Sequence, residues 1–158
     1  MNQVWLRRFV IESSNEIGAN QLIANKSKLI VIENEDKIMK AIILFGHGAR
    51  DARWREPFDR LAKLWQEQHP DAPVQLAFLE MMQPSLDDAV STLSAQGATH
   101  ITVVPVFFGQ GGHLRNDFPV LLEACQKQYP NLRLSATPAV GEDLAVLQAI
   151  VDFGARAI

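Results

Sequence analysis

From Lys40 onward the chain alternates two hydrophobic rhythms. Short, nearly continuous apolar runs, rich in β-branched and aromatic residues, fall at residues 41–45 (AIILF), 74–80 (VQLAFLE), 101–108 (ITVVPVFF) and 132–138 (LRLSATP), and each reads as a strand. Between and after them the apolar positions take helical spacing: Trp54, Phe58, Leu61, Leu64 and Trp65; Leu86, Ala89, Val90 and Leu93; Phe118, Leu121, Leu122 and Cys125; Leu144, Leu147, Ile150 and Val151. Pro84 suits the first turn of the second helix and Gly97 the position just past its end. Asp117 and Pro119 read in the same way as the cap and first turn of the third helix.

Strands this continuous in hydrophobes are buried on both faces, and regular strand-helix alternation then builds a parallel sheet. The pattern predicts an α/β fold, a doubly wound parallel four-stranded sheet with helices on both faces in flavodoxin-like layers. In such sheets ligands bind beyond the carboxyl ends of the strands, where strand order reverses. The residues just after each strand therefore carry the functional question.

Upstream of this rhythm, residues 1–38 are polar and weakly periodic, mixing SSNE, GANQ, NKSK and ENEDK. They read as an N-terminal extension, disordered or not native to the domain, which then occupies residues 39–158. A second reading places the natural start at Met39, directly before KAIILFGHG. Residues 28–33 (KLIVIE) could still add an edge strand. Two arginines interrupt the short apolar patch of the first 16 residues, which does not read as a signal peptide.

Length and composition narrow the function classes. The 158 residues, 47% of them hydrophobic, suit one domain with a real core. A net charge of -3 with no block of one sign gives neither a nucleic-acid footprint nor a polybasic membrane patch. No apolar run approaches the roughly 18 residues of a membrane span. The lone cysteine, Cys125, excludes an internal disulfide and reads as core packing in a reducing, cytoplasmic setting. A small-molecule partner is what remains.

The strand ends then supply the chemistry. GHGARD (46–51), LEMMQPS (79–85) and FGQGGHLRND (108–117) each deliver one residue able to bind a metal or move a proton: His47, Glu80 and His113. Two imidazoles and a carboxylate suit a borderline divalent ion such as cobalt, nickel, iron or zinc, with coordination positions left open for a substrate. Gly46 and Gly48 bracket His47, and Gly109, Gly111 and Gly112 precede His113, so both turns can take positive φ and approach a flat ligand closely. Neither phosphate-loop pattern nor G-x-S-x-G is present, which removes the usual support for a nucleotide site or a serine hydrolase. Arg50, Arg53, Arg55 and Arg115 near the histidines offer paired hydrogen bonds to carboxylates, with surface solvation as the plainer reading. His69 and His100 lack such surroundings and read as structural.

At GHGARD, FLEMMQPSL (78–86), VVPVFF (103–108) and GGHLRNDFP (111–119), in that order, the sequence resembles the CbiX/SirB-type small sirohydrochlorin chelatases of the class II chelatase superfamily. The likeness covers residues 40–151. The family pattern usually reads GHGSRD, so Ala49 departs from it by the loss of a hydroxyl. The resemblance implies a chelatase-like fold and insertion of Co2+ or Fe2+, with Ni2+ a further candidate, into sirohydrochlorin on the way to cobalamin or sirohaem. It places the metal-binding and catalytic histidines at His47 and His113 and the acidic helper at Glu80. The metal is then substrate, with no tightly bound cofactor, and the protein a homodimer. By position, Arg50, Arg53 or Arg115 would meet the peripheral carboxylates, and Gly111, Gly112, Phe107, Phe108 and Met81 the face of the ring. A carrier of metal or tetrapyrrole without turnover, and an unrelated α/β hydrolase or transferase, are the alternatives.

Overall fold

The computed structural model describes residues 38–109 and 111–158, and for His113 and Leu114 the backbone alone. Residues 1–37 of the expected extension, with the strand expected at 28–33, lie outside the described residues.

The strands are β1 (Lys40–Gly46), β2 (Val74–Phe78), β3 (His100–Pro105) and β4 (Arg133–Ala136), all parallel and in the order β2-β1-β3-β4. The helices are α1 (Glu56–Gln68), α2 (Leu86–Ala95), α3 (Gly112–Gln128) and α4 (Leu144–Ala155). Short 3-10 turns at Ala52–Arg55 and Val140–Glu142 lead into α1 and α4. This is the four-stranded parallel α/β architecture that the rhythm predicts.

Side-chain alternation sorts the core into two layers. Ile43, Phe45, Ala77, Ile101 and Val103 point to one face, where Leu86, Ala89, Val90 and Leu93 of α2 and Phe118 and Cys125 of α3 cover them. Ile42, Leu44, Leu76 and Phe78 point to the other, where Phe58 of α1 closes the layer with Trp65 half-buried beside it. Phe45 stacks on Phe118 with centroids 5.1 Å apart, and Phe58 meets Phe78 edge-on at 5.4 Å. Trp54, Leu61 and Leu64, which share the helical spacing, stay exposed.

Several boundaries differ from the sequence reading, each for a local reason. Pro84 is outside α2: Ser85 is the N-cap, its Oγ accepting from the Asp88 backbone N–H while the Asp88 carboxylate accepts from the Ser85 N–H, a reciprocal capping box. Gly97 does follow α2 and has φ +92°, the left-handed conformation that glycine adopts without cost. The largest change is in α3. It starts at Gly112 rather than near Asp117, so GHLRND is its first turns and Pro119 lies in its interior. Proline has no N–H to donate there, a loss the longer helix tolerates. β3 ends at Pro105, but the Val106 N–H still donates to the Phe45 carbonyl at 2.8 Å, carrying the strand direction onward.

Candidate functional site

The chain runs from β1 outward to β2 and then returns past β1 to β3, so strand order reverses between β1 and β3. The crevice beyond their carboxyl ends is where such a fold takes a ligand. His47 immediately follows β1 and sits at its edge. Its ring lies edge-on to Phe107 at 6.2 Å, and Phe107 packs in turn on Phe45 of the core.

Glu80 comes to the same point from β2. The Leu79 N–H donates to the Gly46 carbonyl at 2.9 Å and the Glu80 N–H to the His47 carbonyl at 3.0 Å, so the two loops continue the ladder past the last paired residues. This register brings Glu80 Oε1 within 3.5 Å of His47 Nδ1, with both side chains more than two-fifths exposed. At that length the pair is an electrostatic contact open to water rather than a short hydrogen bond. Either group remains accessible to something arriving from solvent.

Two backbone features make this approach possible. Gly48 has φ +88°, and a Cβ there would overlap the Glu80 carbonyl oxygen. Met81, directly after Glu80, has φ +62°, sparsely populated for a residue with a side chain. The chain thus turns sharply on both sides of the His47–Glu80 contact, and local strain of this kind concentrates at functional sites. The positive φ expected of the glycines before His113 is not what the structure needs: Gly111 is the N-cap of α3 in extended conformation, and Gly111 and Gly112 stand in open space.

His113 lies in the first turn of α3, not on a flexible turn, and its side chain lies outside the described residues. Asp117 is one helical turn further along and is not a cap. With Glu80, Leu79, Val120 and Leu121 it lines an open depression of about 470 Å³. The reading of Asp117 as a cap puts the helix start six residues late; the i, i+4 spacing from His113 was the available signal. Among the described residues no three His, Cys, Asp or Glu side chains converge as a metal cluster.

The arginines separate clearly. Arg53 is bound to Asp51, Nη2 to Oδ2 at 2.6 Å, and this hydrogen bond, with that from the Arg53 backbone N–H, holds the Asp51 carboxyl below its usual range. Arg55 is held by Asp59 and the Gln83 carbonyl. Arg50 and Arg115 are exposed and make no ion pair with any described residue. Phe108 and Met81 are exposed apolar surface on the same loops, at 68% and 58%. His69 stacks on Trp65 at 4.2 Å and His100 Nδ1 is 3.0 Å from Thr99 Oγ1, both away from the rim.

A parallel sheet whose switch point carries an accessible imidazole and carboxylate defines an α/β protein with its candidate ligand site in that crevice. The family comparison agrees: residues 41–155 match the CbiX family model, and the chain belongs to the CbiX family. It is similar to a sirohydrochlorin ferrochelatase of Bacillus subtilis (strain 168), 30% identical over 112 residues, 70% of this chain and 42% of that protein. Among solved structures, a CbiX protein from Marinobacter aquaeolei VT8 superposes with a TM-score of 0.67 at 34% identity, covering 75% of this chain and 93% of that one. The sirohydrochlorin chelatase SirB from Bacillus subtilis subspecies spizizenii, solved in complex with cobalt, gives 0.65 at 26% identity over 73% of this chain and 49% of its own. The chain thus spans about half the length of the Bacillus proteins it matches.

Proposed function

We propose that the protein is a sirohydrochlorin chelatase, a lyase-class enzyme inserting Co2+ or Fe2+ into sirohydrochlorin in cobalamin or sirohaem synthesis, with residues 39–158 as the chelatase domain. The observation that carries the reading is the contact of His47 with Glu80 at the switch point, in a chain of the CbiX family. The Bacillus relatives, a ferrochelatase and a cobalt-bound chelatase, support both metals.

Metallation breaks two pyrrole N–H bonds, forms bonds from the ring nitrogens to the metal, and releases two protons. In water the reaction is slow because the aquo ion must shed its waters while a planar ring presents its lone pairs. In this reading the imidazoles of His47 and His113 replace some of those waters and hold the ion over the ring, a positioning effect. Glu80, open to solvent, accepts a pyrrole proton as general base and passes it to water. Its negative charge 3.5 Å from His47 also favours a cation arriving there. Arg50 and Arg115 bind the peripheral carboxylates, and Phe108, Met81 and the open backbone at Gly111 and Gly112 lie against the ring. The metal is substrate and leaves with the product. The reading also makes the protein a cytoplasmic homodimer, a setting in which the Cys125 thiol stays reduced.

Glu80→Ala is the separating experiment. The expected result is a loss of about 10²-fold or more in the catalysed rate, with Co2+ binding to the protein retained. An unchanged rate would make the protein a carrier of metal or tetrapyrrole.

A further inference from the structure

Among the described residues α4 alone of the four helices has no buried side chain. Leu144, Leu147, Ile150, Val151 and Phe153 are all exposed, Leu144 at 82%. The helix reads LAVLQAIVDFGA, with Asp152 its one charge, and it packs closely only against the turn at Val140–Glu142. A helix apolar on nearly every side belongs inside a protein rather than in water.

The same chain carries a second surface without a partner. β3 and β4 present Thr102, Val104, Val106 and Ser135 to the face that α1 covers over β1 and β2. Among the described residues no helix packs closely on β3 and β4 there, and Val104 and Val106 are only partly buried, at the edge of the α1 layer. Parallel sheets carry cover on both faces, and in a doubly wound layer this strip belongs to the helix that follows β4.

Resting on the homodimer proposed above, we infer that α4 is exchanged between two copies of the chain, the helix of each lying across the open β3–β4 strip of the other. Dimensions agree: twelve helical residues span about 18 Å, and the six residues of β3 about 20 Å. Running antiparallel to the strands, the helix brings Asp152 to their amino ends, where Lys40, His100 and Arg133 stand in one row of the same face. A two-fold axis repeats the contact, so one exchange satisfies both exposed surfaces in both copies.

The test places the photo-crosslinking residue benzoylphenylalanine at position 150 of the full chain, mixes ¹⁴N- and ¹⁵N-labelled protein, irradiates, and maps the products by mass spectrometry. Light scattering of wild type and Ile150→Glu runs beside it. The inference expects mixed-isotope crosslinks to peptides containing Thr102–Val106 or Ser135, a dimeric wild type, and a halved mass for Ile150→Glu. A monomeric wild type overturns it. So do isotope-pure crosslinks, including any to residues 1–37, and a dimer that survives Ile150→Glu with crosslinks elsewhere. Neither readout uses sirohydrochlorin or metal, so the exchange and the chelatase reading fail independently.

Discussion

At Gly48 the room for one methyl group decides whether Glu80 stays beside His47. A Cβ would overlap the Glu80 carbonyl, and φ +88° already excludes an unstrained side chain. Gly48→Ala is therefore expected to destabilise the fold by more than about 1 kcal/mol, seen as a lower melting temperature, and to lower metallation further than stability alone explains by moving Glu80. A variant with wild-type melting and rate would show that the close approach is dispensable. The need for glycine here was legible in GHG, because a residue flanked by two glycines at a strand end announces a tight turn. Met81 was not: nothing in its side chain signals a left-handed backbone, which the surrounding loop imposes. Asp117 was readable as an acidic residue near a helix start, and its place beside Glu80 depended on where that helix begins.

Among the helices, α2 has the best-defined start. The Ser85 hydroxyl donates to Asp88 Oδ2 at 2.7 Å, and this bond, with that from the Ser85 backbone N–H, holds the Asp88 pKa below its ordinary 3.8. A carboxylate with a depressed folded pKa adds stability above its unfolded value and loses it as the pH falls through the folded one. Asp88→Asn should thus melt lower than wild type near neutral pH, with the gap closing as the pH drops below 3.8; a gap constant down to acid pH would contradict the capping box. The S-x-x-D spacing that forms this box is visible in the sequence, although Pro84 suggested an earlier start. For α3 the glycines misled, because Gly111 serves as a helix N-cap and not as a hinge. Periodicity gives a helix its apolar face but not its length when the first turn is polar.

For the molecule as a whole, the parallel sheet between helical layers was within reach of the sequence because β1, β2 and β3 are mostly apolar and every connection is a helix. What hydrophobic spacing cannot state is the partner of an apolar face. Leu144, Leu147, Ile150 and Val151 form a helix as expected, yet α4 finds no cover within the described residues of its own chain. The switch point between β1 and β3 organises the rest, gathering His47 and Glu80 from segments more than thirty residues apart. Whether that rim moves metal into a macrocycle is answered most directly by the visible spectrum of anaerobic sirohydrochlorin with Co2+, followed with and without the full-length protein and with His47→Ala and His113→Ala. Metallation well above the spontaneous rate is expected for wild type, with near-background rates for both variants. Wild type no faster than the protein-free reaction would contradict the chelatase reading.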